Sequence, residues 1–177
     1  MSRITNGPRS TQLSCGLFET IPMNDSQKLP IRSHPDHSPH PRDAHDILFI
    51  TVCTNHRRRI LANDASHQTL LELWRDARYW LVGRYVLMPD HVHLFAMKAA
   101  NSDVPLERWI SWWKRGFSTN LNLGAETWQR DFWDTRMRSA EHYNAKWHYV
   151  MNNPVRMGLT TSSEDWLYQG EIHRLSM

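Results

Sequence analysis

The chain has 177 residues, of which 40% are hydrophobic, and a formal net charge of +3. A chain of this length suits one domain with a core large enough to fold unaided. So small a charge does not by itself indicate nucleic acid, and the contexts of Cys15 and Cys53 differ too much to suggest a disulfide framework. Because no apolar run is long enough to span a bilayer and no signal-peptide segment is visible, we expect a cytoplasmic protein without a membrane anchor.

The first 44 residues differ in composition from the remainder. Six of the nine prolines precede residue 45, whereas all nine tryptophans follow it. A polar segment rich in proline cannot bury enough apolar surface to fold. We therefore predict that residues 1–44 form a disordered tail containing prolines and histidines, and that residues 45–177 form the folded domain.

Apolar patterns from residue 46 onward predict an α+β fold. A β-branched run predicts a first strand, Asn63 is a helix cap, and the dipeptide Pro89-Asp90 joins two strands as a tight hairpin. The predicted elements are strands at 47–53, 82–88, 91–97 and 128–137, and helices at 63–80, 105–121 and 140–152. This order matches a ferredoxin-like split β-α-β-β-α-β core with an added C-terminal helix. We expect two helices on one face of the sheet, with the other face left for the last helix and a substrate.

Two histidines lie near the start of the third predicted strand. His91 and His93 are two residues apart, so their side chains project from the same face. Such a pair can give two ligands to one divalent cation, although it also arises by chance and satisfies local hydrogen bonds. Asp90 either orients one of the imidazoles or serves only as a turn residue.

A tyrosine and an asparagine follow about sixty residues later. If the last helix ends at Asn153-Pro154, then Tyr149 and Asn153 lie at i and i+4 on one helical face. The Asn oxygen would complete a set of two nitrogens and one oxygen that suits Mn²⁺ or Mg²⁺ and leaves positions for phosphate oxygens. A phenol beside such a site can act as a nucleophile on a phosphodiester. The alternative for Tyr149 is a core tyrosine that is bonded through its hydroxyl.

Several segments together resemble a known family. Met-Pro-Asp-His-Val-His-Leu and Tyr-Val-Met-Asn-Asn-Pro-Val-Arg-Met-Gly-Leu resemble the single-tyrosine HUH transposases, and above all the REP-associated tyrosine transposases, whose late motif is Tyr-Ile-x-x-Asn-Pro-Val. The first strand with its basic turn, the segment Trp-Gln-Arg-Asp-Phe-Trp-Asp and the dipeptide Asp165-Trp166 agree with the same family. The resemblance covers roughly residues 46 to 170.

The resemblance implies a mechanism and a substrate. It makes His91, His93 and Asn153 the ligands of Mg²⁺ or Mn²⁺ and makes Tyr149, on the added helix, the nucleophile. The implied activity is cleavage and joining of single-stranded DNA at palindromic-repeat hairpins through a covalent 5′-phosphotyrosine, as in DNA transposition. We would then expect association with the nucleoid, and the family includes both monomers and homodimers.

Basic and aromatic side chains are predicted to bind the DNA near the open face of the sheet. Phosphate contacts from Lys and Arg give salt-dependent affinity, and an exposed Trp can stack on an unpaired base. The residues assigned to this role are Arg57, Arg58, Trp112, Lys114, Arg115, Arg130, Arg136 and Arg138. For any single cation, a solvated surface charge is the alternative.

A non-catalytic nucleic-acid-binding module is the competing functional class. Such a module would use the basic and aromatic residues but would have no need of a His pair with a facing Tyr. Sensitivity to a chelator separates the two classes, because only the enzyme requires a divalent ion.

Overall fold

The computed structural model describes residues 46–76 and 78–176. The predicted tail at residues 1–44 lies outside these ranges. The strands are β1 (Ile47–Cys53), β2 (Trp80–Met88), β3 (His91–Lys98), β4 (Trp133–Arg136) and β5 (Gln169–Glu171). The helices are α1 (Asp64–Trp74), α2 (Leu106–Asn120), α3 (Ala140–Met151) and α4 (Asn153–Arg156), with short 3₁₀ turns at Asn55–Arg57 and Ala125–Thr127.

The five strands form one sheet in the order β4-β1-β3-β2-β5, and every neighbouring pair is antiparallel. Strand β3 lies between β1 and β2, so the connection through α1 skips one strand, and the connection through α2 likewise skips β1. The predicted α+β class is confirmed. The sequence pattern did not indicate β5, because a three-residue edge strand is too short to show a period of two.

The two faces of the sheet carry different helices. Val92, Leu94 and other alternate residues of the central strands share a core with Trp109 and Trp113 of α2 and with buried side chains of α1. On the opposite face Phe95 packs against Tyr143 of α3, with ring centroids 4.6 Å apart. His91 and His93 are four and two residues before Phe95 on the same strand, so their side chains point to the same face, the one that carries α3.

Two predicted boundaries are wrong for physical reasons. The predicted helix at 63–80 ends at Trp74, because Trp80 pairs with Lys98 as the first residue of β2. Of the predicted strand at 128–137, only the four residues of β4 (Trp133–Arg136) are a strand, and Trp128 makes an isolated bridge to Thr54. In each case strand pairing across the sheet determines the boundary, which a local pattern does not contain.

The last predicted helix is interrupted near its end. Helix α3 ends at Met151, and α4 starts at Asn153 with Pro154 in its first turn. Proline is tolerated there because the N–H groups of the first turn have no partner within the helix in any case. Tyr149 and Asn153 therefore belong to consecutive helices. Asn152, between them, keeps a helical backbone (φ −86°, ψ −1°), so the two residues stay close to one face. In the described ranges no helix combines the length and the apolar character that crossing a bilayer requires.

Acid is expected to destabilise this fold through His67. Its Nε2 lies 2.8 Å from the Tyr85 hydroxyl, and burial lowers the His67 pKa, an effect that Asp64 partly offsets. Below about pH 6.5 the unfolded chain takes up a proton that the folded His67 resists, so stability falls as pH falls. The free energy of unfolding, measured by urea denaturation, should fall when the pH is lowered from about 7.5 to about 5.5. The decrease should be larger in the wild type than in His67→Gln. An equal loss in the two proteins would contradict this.

Candidate active site

The two histidines project from the start of β3 with their rings edge to face, the centroids 4.7 Å apart. Their Nε2 atoms are 3.1 Å apart. The Nδ1 atom of His91 lies 2.7 Å from Asp90 Oδ1, and the Nδ1 atom of His93 lies 2.9 Å from Thr51 Oγ1. Each imidazole is therefore oriented through Nδ1 by a neighbouring residue, which directs both Nε2 atoms toward one point.

The spacing of the Nε2 atoms fits a shared divalent cation. Two nitrogens about 2.1 Å from one ion, at right angles to each other, are about 3.0 Å apart. A carboxylate only accepts hydrogen bonds, so Asp90 favours the His91 tautomer with its proton on Nδ1 and a lone pair on Nε2. The Thr51 hydroxyl both donates and accepts, so His93 can also present a lone pair or can donate to His91. The geometry is thus compatible with a metal ion and with an N–H···N hydrogen bond.

Burial keeps both imidazoles neutral. Burial, followed by unfavourable electrostatic interactions with His91, Lys146 and Arg57, lowers the pKa of His93 to about 3. Burial also lowers the pKa of His91, although Asp90 opposes that shift. Neutral imidazole is the form that binds metals, so near neutral pH no proton has to be displaced from these side chains.

A third ligand must come from another residue type. Within residues 46–76 and 78–176, no group of three or more His, Cys, Asp or Glu side chains is placed to hold a metal ion. Half-buried Asn153 starts α4 three residues after Val150, which packs on Val86 and Met88. Those two β2 residues are paired with the two histidines of β3. The start of α4 thus lies over the end of the sheet that carries the His pair, and a ligand role for Asn153 stays a prediction.

Tyr149 is connected to the His pair by a series of ring and cation contacts. Its side chain is 55% exposed, which does not fit the alternative of a core tyrosine. The Lys146 amino group lies 5.9 Å from the Tyr149 ring centroid and 5.1 Å from that of Phe49. Phe49 in turn stacks on His93, with centroids 5.4 Å apart. The Arg156 guanidinium also lies over the Tyr149 ring, 4.7 Å from its centroid.

Lys146 and Arg156 were not predicted from the sequence to belong to the site. A signal for Lys146 was present, because residues 146, 149, 150 and 153 follow one helical face at i, i+3, i+4 and i+7. Val150, in the middle of that face, is buried against β2, so its neighbours border the sheet. Lys146 therefore places a positive charge between the phenol of Tyr149 and the imidazoles.

The two arginines after β1 have different surroundings. Arg57 Nε lies 2.7 Å from Asp90 Oδ2, and Arg57 Nη1 donates to Cys53 Sγ at 2.8 Å. Arg57 is thus part of the cluster around His91. Arg58 is exposed and ends the short 3₁₀ turn, and its role as a DNA contact stays a prediction.

The three DNA-binding candidates on α2 are not near the His pair. Trp112 is 41% exposed and Arg115 is exposed, but α2 packs on the face of the sheet opposite to α3. The prediction that Trp112, Lys114 and Arg115 lie at the open face is wrong, because the apolar stripe of α2 faces the same core as α1. Lys114 donates to the carbonyls of Gln129 and Arg130 at 2.5 and 3.1 Å, and burial lowers its pKa.

The remaining basic candidates follow the edge of the sheet at β4. Arg130, Arg136 and Arg138 are all exposed. Arg136 pairs with Asp46, with Nε 2.8 Å from Oδ1, while the other two flank the strand on either side. Among the strands of the described residues, β4 pairs with β1 alone, so these cations lie along the edge of the sheet next to the strand that carries Phe49 and Thr51.

Comparison with known proteins finds similarity to tyrosine transposases. A REP-associated tyrosine transposase of Escherichia coli K12 is 26% identical over 129 residues, covering 71% of this chain and 76% of that protein. The resemblance to REP-associated tyrosine transposases is confirmed. A provisionally named REP-associated tyrosine transposase of Haemophilus influenzae is 28% identical over 100 residues, covering 50% of this chain and 56% of the relative. The predicted class of enzyme is that of these relatives.

A solved structure supports the fold. The structure of a REP-associated tyrosine transposase bound to a REP hairpin superposes with a TM-score of 0.61 at 24% identity, covering 75% of this chain and 81% of that one. No family model matches the chain. The α+β fold thus occurs in a REP-associated tyrosine transposase.

Proposed function

We propose that this chain is a HUH-type tyrosine transposase that cleaves and rejoins single-stranded DNA through Tyr149. The observation that carries the proposal is the series of contacts from exposed Tyr149 through Lys146 and Phe49 to the half-buried His pair. These contacts bring together an exposed phenol, a positive charge and two oriented imidazoles on one face of one sheet, which supports a role for the phenol as nucleophile. A binding module has no use for that combination.

The donor set suits a hard divalent ion. His91 and His93 would hold Mg²⁺ or Mn²⁺ through their converging Nε2 atoms, and Asn153 would supply an oxygen. When bound, the ion would withdraw negative charge from the non-bridging phosphate oxygens. The neutral state of both imidazoles and their fixed Nδ1 partners support this assignment.

The chemical step is carried by the phenol of Tyr149. Its oxygen bonds to phosphorus, the bond from phosphorus to the 3′ oxygen breaks, and the phenolic proton leaves while the departing oxygen gains one. The products are a 5′-phosphotyrosine and a free 3′-hydroxyl. Attack by a 3′-hydroxyl on the phosphotyrosine restores the phenol and joins the strands, so the cycle needs no external energy source. The exposure of Tyr149 leaves room for the DNA strand.

The remaining groups on this face bind the phosphate. Lys146 lies between the nucleophile and the His pair, which is where the scissile phosphate has to be placed for attack. Arg156, stacked on the Tyr149 ring, holds the phenol and adds a second positive charge. Exposed Arg130 and Arg138 beside β4 extend the cationic surface away from the reacting atoms.

We infer that the substrate is a single strand that carries a hairpin. The solved relative is bound to a REP hairpin. An unpaired strand has the conformational freedom to bring its phosphate into a compact site, whereas the adjacent hairpin offers a shape that the protein can grip. DNA binding would also associate the chain with the nucleoid.

A covalent-adduct assay tests the proposal. The protein is incubated with Mn²⁺ and 3′-end-labelled oligonucleotides that carry hairpins, and the products are separated on a denaturing gel. We expect a labelled band with the mass of the protein plus the DNA fragment, and no such band in the presence of EDTA. Binding without an adduct in Mn²⁺ and in Mg²⁺ would assign the chain to the non-catalytic class.

Loss of the charge at Lys146 is expected to slow cleavage. Lys146→Met keeps most of the side-chain length but removes the cation, so the rate of adduct formation should fall about 100-fold. Lys98→Met is the matched control, because Lys98 ends β3 at the far end from the His pair and should keep the wild-type rate. Single-turnover rates at saturating DNA measure the effect. Equal rates in the two variants would show that Lys146 does not act on the phosphate.

A further inference from the structure

A network of polar contacts lies behind His91. Asp90 uses both carboxylate oxygens, with Oδ1 2.7 Å from His91 Nδ1 and Oδ2 2.7 Å from Arg57 Nε. Arg57 is held from its other side by Cys53, whose Sγ accepts from Nη1 at 2.8 Å. Arg57 Nη2 is 3.5 Å from His91 Nδ1, too far for a strong hydrogen bond, so the carboxylate is the partner of that nitrogen.

The backbone turn that carries Arg57 is unusual. His56 (φ 51°) and Arg57 (φ 54°) both adopt the left-handed conformation, which non-glycine residues rarely occupy. Thr54 fastens this turn to the hairpin before β3, since its backbone N–H and its hydroxyl both donate to the Asp90 carbonyl at 2.9 Å. The same hydroxyl lies 2.8 Å from the Arg58 carbonyl. The turn thus directs Arg57 toward Asp90 and leaves Arg58 exposed.

We propose that Arg57 is a positioning residue for the metal-binding imidazole of His91, acting through Asp90, and not a contact to DNA phosphate. The guanidinium holds the carboxylate so that Oδ1 accepts from His91 Nδ1–H. That bond fixes the ring and leaves the Nε2 lone pair directed at Nε2 of His93. The inference rests on the proposed function, because it assumes that the His pair holds a divalent ion.

The adjacent arginine provides a matched control. The Arg57 side chain is 52% exposed, so its ion pair contributes little to stability and Arg57→Gln should fold. Removing a residue that orients a ligand typically weakens metal binding 10- to 100-fold, so Arg57→Gln should raise the Kd for Mn²⁺ by about that factor. Arg58→Gln should keep the wild-type Kd. The decrease of the electron paramagnetic resonance signal of free Mn²⁺ during titration measures both without DNA or catalysis.

DNA binding in EDTA provides the second measurement. Arg58→Gln should lower the slope of log affinity against log salt by about one, as expected for a lost phosphate contact, whereas Arg57→Gln should leave the slope unchanged. Unchanged Mn²⁺ affinity together with a reduced slope in Arg57→Gln would make Arg57 a DNA contact and overturn the proposal.

A metal-free spectroscopic test separates this inference from the proposed function. Nitrogen-15 NMR of the imidazoles in EDTA should show wild-type His91 protonated on Nδ1, with a mixture of tautomers in Arg57→Gln and in the isosteric variant Asp90→Asn. Wild type that binds no Mn²⁺ but shows this tautomer change would refute the metal site and retain the positioning role. A His91 tautomer that is the same in all three proteins would refute the positioning role.

Discussion

Replacing Tyr149 with Phe is expected to abolish the covalent adduct and leave DNA affinity unchanged. The substitution removes only the hydroxyl oxygen that would bond to phosphorus, while the ring that stacks against Arg156 remains. Because the side chain is more than half exposed, the variant should melt at the wild-type temperature. Adduct formation on a denaturing gel and DNA affinity by fluorescence anisotropy measure the two properties.

Tyr79→Phe is the control for this substitution. Tyr79 is also exposed, at 38%, but it precedes β2 at the far end of the sheet from the His pair. That variant should form the adduct at the wild-type rate. An adduct that persists in Tyr149→Phe and disappears in Tyr79→Phe would place the nucleophile elsewhere.

Removing either imidazole of the His pair is expected to abolish cleavage without unfolding the protein. His91→Ala and His93→Ala each remove one of the two converging Nε2 atoms, so neither variant should form the adduct in Mn²⁺. His148→Ala, which removes an exposed imidazole next to Tyr149, should cleave normally. A weakly held ion adds little to stability, so His91→Ala should lower Tm by only a few degrees.

The two variants should differ in stability. His93 stacks on Phe49 and bonds to Thr51, so its removal also leaves a half-buried hydroxyl without that partner, a loss of about 0.5–1.5 kcal/mol. His93→Ala should therefore melt below His91→Ala, and thermal unfolding in EDTA measures the difference. An unfolded His91→Ala variant would show that the His pair has a structural role. An adduct that still forms in either variant would show that the His pair is not needed for cleavage.

The parts of the site that depend on local periodicity were predictable from the sequence. Alternation along a strand put His91 and His93 on one face, and the dipeptide Pro89-Asp90 located the hairpin before them. Helical spacing likewise placed Tyr149 near the face of Asn153. Each of these predictions needs only the geometry of one element or one turn.

The parts that depend on packing between elements were not predictable. Arg57 and Arg58 are adjacent residues of the same type, so the sequence does not distinguish them. Their surroundings differ because the backbone turn is left-handed and is hydrogen-bonded to the hairpin before β3. Lys146 gains its place because Val150 packs on β2, a contact between residues far apart in the chain.

Mass spectrometry of the DNA-linked peptide tests the central claim most directly. After reaction with hairpin DNA, nuclease treatment and trypsin digestion, cleavage after Lys146 and Arg156 releases residues 147–156, in which Tyr149 is the sole tyrosine. We expect this peptide to carry a nucleotide phosphate on the phenolic oxygen. A nucleotide on a different peptide, or none on any peptide from a reaction that has cleaved the DNA, would contradict the proposed mechanism.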